Sequence, residues 1–225
     1  THILCTHSHV DHSPLAPRVA AETGAKVHAF GTHLEGRRPV MEALAASGLA
    51  GGGEGVDEAF APDLRLADGA VVEGDGWSLT ALHTPGHISN HLCFALGEAV
   101  FTGDHVMGWA STVVPPPDGD MAAFFDSLTL LIERGDACYL PGHGPPIDDP
   151  LPHVADLLDR RRLREAAIAD LLAAAPLTTV EIVDRLYSKD HPRLRRAAER
   201  NVVAHLQKLA AERKVISRGE RWIAG

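Results

Sequence analysis

The sequence predicts an α/β domain over residues 1–150, followed by a mostly helical domain over residues 151–225. Short apolar runs alternate with helical segments closed by glycine, which is the pattern of an α/β fold. The formal charge also changes sign: residues 1–150 hold 6 Lys+Arg and 20 Asp+Glu (−14), residues 151–225 hold 15 and 10 (+5), and together they give −9. A shift of that size near Pro150-Leu151-Pro152 indicates a domain boundary.

Composition excludes several classes of protein. The 225 residues, 45% hydrophobic and 23% charged, describe a globular chain with material for one large or two small domains. No apolar run approaches membrane-spanning length, so we expect no membrane partner. The three cysteines (Cys5, Cys93 and Cys138) are odd in number and widely spaced. A disulfide framework is therefore not expected, and a reducing, cytoplasmic location is.

The first predicted element ends in the stretch Thr-His-Ser-His-Val-Asp-His, residues 6–12. A strand predicted over residues 1–5, apolar at residues 3–5, precedes it, and Ser13-Pro14 follows as a predicted helix start with a capping hydroxyl. Side chains alternate along extended backbone, so the first two histidines point the same way, and the aspartate and last histidine lie in the turn. Imidazoles and a carboxylate at this spacing suit one or two zinc-like ions.

The next elements form a β-α-β unit. A helix is predicted over residues 14–22 and is closed by Gly24, and a strand follows over residues 26–30. Residues 41–47 read as one or two helical turns. The glycine-rich stretch at residues 51–55 is either a lid or substrate wall, or a mobile surface loop.

The rest of the first domain reads as strands with one helix. The predicted elements are strand, turn and strand over residues 63–72; an alternating strand at 77–82; a strand pair at 92–96 and 99–102; a helix at 121–133 with Asp118 or Asp120 at its start and Gly135 after its end; and a strand at 137–140.

Four of these strands end in turns that present histidine or aspartate. The first carries residues 7–12, and the later ones present His87, Asp104 and His143. Functional groups at the ends of several strands predict an active site at the edge of a sheet.

A resemblance to the metallo-β-lactamase superfamily, glyoxalase II-like branch, rests on four stretches: Thr-His-Ser-His-Val-Asp-His (6–12), His-Thr-Pro-Gly-His (83–87), Phe-Thr-Gly-Asp (101–104) and Pro-Gly-His-Gly (141–144). It implies an αββα sandwich with metals at one edge. The implied first-metal ligands are His7, His9 and His87; the second-metal ligands are Asp11, His12 and His143; and Asp104 bridges both. The family fold begins with several strands before the first motif, so the resemblance implies a chain that lacks them and a natural protein longer at its N-terminus.

The tail resembles a winged helix. Its predicted elements are helices at residues 153–174, 180–187 and 194–213 and a hairpin at 215–223. With this tail the chain is similar to lactamase-β-like proteins that include a mitochondrial single-strand endoribonuclease of animals. It departs from them at Ile88-Ser89-Asn90, where those relatives tend to have a hydroxyl and acidic residues, and the departure bears on substrate orientation.

The resemblance implies a hydrolase with two divalent ions, zinc by expectation and iron or manganese as alternatives. Such ions lower the pKa of a shared water and supply hydroxide at ordinary pH. Asp104 would hold the ions at their working separation, and Asp11 would orient the nucleophile. His83 and His91 are candidate supporting partners of the ligands, or they fill structural roles.

Several substrates are compatible with this chemistry. Single-stranded RNA is favoured by the family resemblance and by a basic tail. Its candidate phosphate contacts are the run Arg160-Arg161-Arg162 and Arg193, Arg195, Arg196 and Arg200. A first domain at −14 disfavours a polyanion, and the tail could instead pack on the catalytic domain or on a second copy. The alternatives are a thioester, lactone or other small acyl substrate, iron-dependent persulfide oxidation, and a DNA-binding regulator that has lost catalysis.

Overall fold

The computed structural model describes residues 2–48, 55–188 and 194–225. Its helices are α1 (Ala16–Thr23), α2 (Pro39–Ala46), α3 (Met121–Arg134), α4 (Pro150–Ala174), α5 (Thr179–Leu186) and α6 (Arg195–Ala211). Its strands are β1 (His2–Leu4), β2 (Lys26–Ala29), β3 (Leu64–Arg65), β4 (Val71–Gly74), β5 (Trp77–His83), β6 (Leu92–Leu96), β7 (Ala99–Gly103), β8 (Cys138–Pro141), β9 (Ile147–Asp148), β10 (Leu177–Thr178), β11 (Val215–Arg218) and β12 (Arg221–Ala224).

Two sheets pack face to face in the first domain. The smaller has the order β1-β2-β3, and the larger runs from β4 to β9 in chain order. Alternation along β6 sends Leu92 and Phe94 into the cluster between the sheets, where Leu4 and Phe30 meet them. Cys93 points to the opposite face and joins the cluster that contains residues of α3 and α4.

Helices cover both outer faces and complete the sandwich. Ala16 of α1 packs with Val27 of β2, and β1 pairs in parallel with β2, as a β-α-β unit requires. On the large sheet, Phe124 of α3 and Leu157 of α4 pack over the strands. The layers are therefore α/β/β/α, which confirms the predicted fold class.

The C-terminal region has its own core, built on α4, α5, α6 and the small sheet β10-β12-β11. Helix α4 belongs to both cores: Val154 and Leu157 pack in the first, and Ile168 and Leu172 pack in the second. The boundary that the charge shift predicts thus falls at the start of a helix shared by the two domains.

Several local predictions are changed by tertiary contacts. The Ser13 hydroxyl does not cap α1, which begins at Ala16; it donates instead to the His9 carbonyl (3.2 Å) and to Asp57 (2.8 Å). The turn at Gly69 joins β3 of one sheet to β4 of the other, so the chain crosses between the sheets there. The predicted glycine-rich loop lies outside the described residues except for Gly55.

Within the described part of the chain, none of the helices combines the length and apolar character that a membrane span needs. Cytoplasmic location and association between copies stay predictions.

Candidate metal centre

Three buried imidazoles converge where β1 and β5 end. Nδ1 of His9 lies 3.0 Å from Nε2 of His7 and 3.0 Å from Nε2 of His87. Ligand atoms on a tetrahedral zinc, at bonds of about 2.0–2.1 Å, stand roughly 3.3 Å apart. One cation can accept a lone pair from each of the three nitrogens at once, whereas one proton can bridge only one of the two nitrogen–nitrogen contacts. The donor set therefore fits a metal ion.

A second donor set lies beside the first and is more open to solvent. Nε2 of His143 stands 3.2 Å from Nε2 of His12 and 3.1 Å from Oδ2 of Asp11. Oδ1 of Asp104 lies 3.3 Å from Nε2 of His12. The four residues follow three different strands of the small and large sheets, which only the fold brings together.

Asp104 stands between the two sets. Its Oδ2 lies 3.9 Å from Nε2 of His87 in the first set and 3.6 Å from Nε2 of His143 in the second. The side chain is buried, and among the described residues its Oδ1 accepts no hydrogen bond. A buried carboxylate oxygen without a donor suits a cation. A carboxylate in this position would be shared by two ions if each donor set held one.

The protonation states suit metal binding. Burial lowers the pKa of His7 well below its usual value, and neighbouring imidazoles lower it further. Burial also lowers the pKa of His9 to about 3. Burial raises the pKa of Asp104, but the contact with His12 and the nearby imidazoles outweigh it and leave that pKa below its usual value. At neutral pH these groups are neutral imidazoles and a carboxylate, the forms that ligate.

Both Pro-Gly turns need their glycine because the backbone passes close to other atoms. A Cβ at Gly142 would stand 2.6 Å from Oδ1 of Asp104 and 2.9 Å from Cε1 of His12. At Gly86, where φ is 148°, a Cβ would stand 2.5 Å from Cα of Phe124 in α3. Glycine at these two positions therefore lets the backbone lie close to the candidate ligands and to α3.

A cavity of about 490 Å³ opens over the second donor set. Asp11, Asp104 and His143 form its floor. Its walls come from the segment after β7 and from the C-terminal domain: Met107, Trp109, Ala110, Ser111, Val113, Tyr187, Leu194, Ala197, Ala198 and Asn201. Among these described lining residues none is lysine or arginine. Cavities of this size commonly hold small molecules.

Family comparisons agree with the fold and the strand-end ligands. Residues 1–143 match the family model described as the metallo-beta-lactamase superfamily, which is more than half of the chain. The chain belongs to the metallo-beta-lactamase superfamily. Residues 178–222 match the beta-lactamase associated winged helix domain, which confirms the predicted nature of the tail.

Individual relatives carry varied names. The chain is 34% identical over 161 residues to an atrochrysone carboxyl ACP thioesterase of Aspergillus chevalieri, covering 67% of this chain and 51% of that one. It resembles the crystal structure of a metallo-beta-lactamase family protein of Thermus thermophilus at 26% identity and TM-score 0.77, over 100% of this chain and 80% of that one.

A third comparison is with a solved structure that contains metal. TTHA1623, described in a di-iron-bound form, is 28% identical, with TM-score 0.51 over 68% of this chain and 74% of that one. The chain spans about half the length of the curated relatives it matches. Superfamily membership agrees with the predicted hydrolase class.

The two predicted supporting histidines have different surroundings in this superfamily member. Nδ1 of His91 lies 3.0 Å from the Thr84 hydroxyl, and its Nε2 accepts the backbone N–H of Asp104 at 3.3 Å. His83 instead stacks on Phe30, with ring centroids 3.9 Å apart, and its Nε2 lies 2.9 Å from the Ser89 carbonyl oxygen. The geometry gives His91 a contact with the bridging residue; for His83, the contacts within the described residues are with packing neighbours.

The described arginines that were predicted to contact phosphate differ in their surroundings. Arg193 lies outside the described residues. Arg195 pairs with Asp184 at 2.6 Å and with Glu199 at 3.3 Å. Arg196 is exposed and Arg200 half-buried, and within the described residues neither forms an ion pair.

The earlier basic run, residues 160–162, is also unsuited to phosphates. Its central residue, Arg161, is buried, which contradicts the prediction that it could reach a phosphate. Arg160 and Arg162 pair with Asp156 and Asp159 on their own helix.

Sequence reasoning missed the residues that hold the first motif in place. Asp57 donates its N–H to the Ser8 carbonyl and accepts from the Ser13 hydroxyl. The Asn90 amide donates to the Ser8 hydroxyl at 2.9 Å, and the Ser89 hydroxyl donates to the Glu35 carbonyl at 2.9 Å. The departure at residues 88–90 therefore concerns support of the motif, since these side chains are buried and do not line the cavity. Nothing in the spacing of Asp57 indicated this role.

Proposed function

We propose that this chain carries the catalytic centre of a two-metal hydrolase, with zinc in both sites, that acts on thioesters and related small acyl substrates. The observation that carries the substrate class is the cavity over the second donor set. Its walls are mostly apolar, and none of its described lining residues is lysine or arginine. An acyl chain can be buried there, whereas a phosphate backbone would meet no lysine or arginine in the described lining.

The donor chemistry supports two ions. The first set offers three imidazole nitrogens, the second offers two imidazoles and two carboxylates, and cysteine is absent from the described groups. Nitrogen and oxygen donors suit zinc, iron and manganese, so metal analysis of the purified protein is part of the test. Iron in place of zinc would contradict the choice of metal and favour oxidation of persulfides.

Each residue then has a role in acyl transfer. Bound zinc ions would lower the pKa of water and polarise the scissile carbonyl. Asp104 fixes the spacing of the two sites, and Asp11, at the cavity floor and 41% exposed, can accept the proton of the attacking water at Oδ2. Met107 and Leu194, on opposite domains, keep solvent from the acyl part.

The thioester assignment also draws on the relative from Aspergillus chevalieri, whose printed name is that of a thioesterase. We test it with zinc-loaded protein and acyl thioesters of increasing chain length, measuring released thiol, with Asp104→Asn as the inactive control. Asp104→Asn keeps the size of the side chain and removes the bridging charge, and we expect a loss of at least about 100-fold in kcat/KM.

Single-stranded RNA is the second candidate, and Arg196 with Arg200 is the observation that favours it. They lie one turn apart on α6, beside the positions that line the cavity, and lack a carboxylate partner among the described residues. Burial lowers the pKa of Arg200, and Arg196 lowers it further. The same preparation is therefore offered end-labelled RNA. Cleavage lost in Asp104→Asn, without thiol release, would overturn the acyl assignment and leave the two-metal centre standing.

A matched pair of variants resolves the RNA candidate further. The double variant Arg196→Gln/Arg200→Gln removes two charges without carboxylate partners, and Arg195→Gln removes one already neutralised by Asp184 and Glu199. If RNA is the substrate, only the first should weaken binding and reduce its salt dependence. If acyl substrates are correct, neither should change turnover of an uncharged thioester.

A further inference from the structure

The His87 ring is oriented by hydrogen bonds to residues that come much later in the chain. Its Nδ1 lies 2.8 Å from the carbonyl oxygen of Val113 and 2.9 Å from Oγ1 of Thr112. A carbonyl oxygen can only accept, so Nδ1 carries the proton and Nε2 presents its lone pair to the first donor set. The segment of residues 111–114 therefore fixes the tautomer and the ring of a candidate ligand.

The C-terminal region holds that segment from two helices. Arg161 of α4 donates through a terminal nitrogen to the carbonyl of Thr112, and to Oγ of Ser111 at 2.7 Å. From α6, Oδ1 of Asn201 accepts the backbone N–H of Val114 at 3.3 Å. A chain of contacts thus runs from α4 and α6 through the segment to Nδ1 of His87.

Arg161 occupies an unfavourable place for a charge. It is only 7% exposed, its Nε has no partner among the described residues, and no carboxylate there pairs with it. Its guanidinium carbon lies 5.5 Å from the ring centroid of Phe124, a weak compensation. Burial lowers its pKa to about 10, so it stays charged at neutral pH. A buried charge without a counter-charge destabilises a fold, so stability does not account for an arginine here.

We propose that Arg161 is a positioning residue for the first metal site: its guanidinium fixes the segment of residues 111–114, which in turn fixes the tautomer and direction of His87. The C-terminal region then contributes to the arrangement of the metal centre through Arg161 of α4. The inference rests on the two-metal site of the proposed function, and adds that α4 controls the order and affinity of one of the two sites.

The test is Arg161→Met, which keeps the apolar stem over Phe124 and removes the donors and the charge. Zinc affinity is measured by competition with a chromophoric chelator, and the geometry of the sites by the visible spectrum of the cobalt-substituted protein. We expect affinity at the first site to fall about tenfold, as for other residues that orient metal ligands. In the metal-free protein, nitrogen NMR should show the His87 ring losing its single tautomer.

Two variants separate positioning from folding. Arg160→Met makes the same change one residue earlier on α4, where the guanidinium pairs with exposed Asp156, and should leave all three readouts unchanged. Arg161→Lys keeps the charge but replaces the planar guanidinium, whose one terminal nitrogen reaches both acceptors, with an ammonium on a shorter side chain. Its zinc affinity should therefore fall between those of wild type and Arg161→Met. Thermal unfolding should show no loss of stability in Arg161→Met, because a buried unpaired charge has been removed.

The outcomes are distinct. Wild-type affinity, cobalt spectrum and His87 tautomer in folded Arg161→Met would overturn the inference and leave the two-metal hydrolase intact. If Arg161→Met fails to fold, Arg161→Lys decides alone: wild-type readouts in it would overturn the inference. A wild-type chain that binds no metal would overturn the proposed function and this inference together.

Discussion

At the residue scale, the candidate metal centre depends on how closely the backbone at Gly142 approaches the ligand side chains. Gly142 lies in the Pro-Gly-His turn between β8 and His143, and a Cβ there would stand 2.6 Å from Oδ1 of Asp104 and 2.9 Å from Cε1 of His12. Neither neighbour is the free end of a flexible chain, because Asp104 is buried. The glycine is therefore required by the second donor set and not by the turn alone.

Gly142→Ala should consequently weaken the second site more than the first. We expect zinc stoichiometry to fall from two toward one, with the far-ultraviolet circular dichroism unchanged, because the added methyl group displaces two residues of the second set, Asp104 and His12, and none of the three histidines of the first. The first site, formed by His7, His9 and His87, serves as the internal control. Two zinc ions bound with wild-type affinity would contradict the close approach of Gly142 to the ligands.

At the element scale, α6 carries a buried titratable residue far from the metal ligands. His205 is fully buried and lies 3.3 Å from Glu165 of α4. Lys208 of α6 pairs with the same carboxylate, Arg161 of α4 contributes positive potential, and α3 contributes the ring of Phe125. Burial lowers the pKa of His205, and Glu165 only partly opposes it.

The free energy of unfolding should therefore decrease in acid through this residue. The unfolded chain takes up a proton at His205 near pH 6.5, and the folded chain does so only at lower pH. Stability is thus retained above pH 6.5 and decreases below it, by at most about 1.4 kcal/mol per pH unit for one group.

The measurement compares urea unfolding of wild type and His205→Gln between pH 7.5 and pH 5. The variant should show a shallower dependence on pH, since it has no proton to take up. As a control, His153→Gln alters a half-buried histidine at the start of α4. A slope in His205→Gln equal to that of wild type would rule out this source of acid sensitivity.

At the scale of the whole molecule, the two domains share both a core and a cavity. The first half of α4 packs into the catalytic core, where Val154 is fully buried, and α6 supplies one wall of the cavity. The charge shift near residue 150 predicts a boundary in sequence. The packing makes that boundary a poor place to divide the chain.

A chain ending at residue 149 should accordingly fail to fold as a catalytic domain. It loses Val154, Leu157 and Leu158, whose removal exposes the apolar outer face of the large sheet. A chain ending at residue 176 retains all of α4 and should fold with reduced stability. Near-ultraviolet circular dichroism and dye binding would distinguish them, and cooperative unfolding of the shorter chain would refute the shared core.

The cavity wall offers a second prediction at this scale. Ala197 is half-buried on α6 and lines the cavity, so Ala197→Leu should reduce its volume and shift thioester preference toward shorter acyl chains. A change of about tenfold in relative kcat/KM between long and short chains is expected, as for a few methylenes in an apolar pocket. Ala211→Leu, at the exposed end of the same helix, is the matched control. An unchanged chain-length profile would place the acyl group elsewhere.

The sequence by itself predicted most of the elements and named the residues of the two donor sets. Periodicity and turn residues predicted the strand pair at β6 and β7 and a cap of α3 at Asp118 or Asp120, of which Asp120 is the cap, because these depend on local backbone preferences. The winged helix was predicted from the resemblance of the tail. The residues that converge in the two donor sets were named from motifs at strand ends. Such information is local, so it can be read along the chain.

Only the tertiary structure decided which groups support the ligands and what the cavity can hold. Thr112 reaches His87 from 25 positions away, and Asn201 reaches Val114 from 87. The hydroxyl of Ser13, which by local rules would cap α1, bonds to Asp57 instead. Arg161, predicted as a phosphate contact, is buried and donates to Ser111 in the cavity wall. Contacts of this kind are fixed by how the layers pack, and packing energy overrides local preference wherever the two disagree.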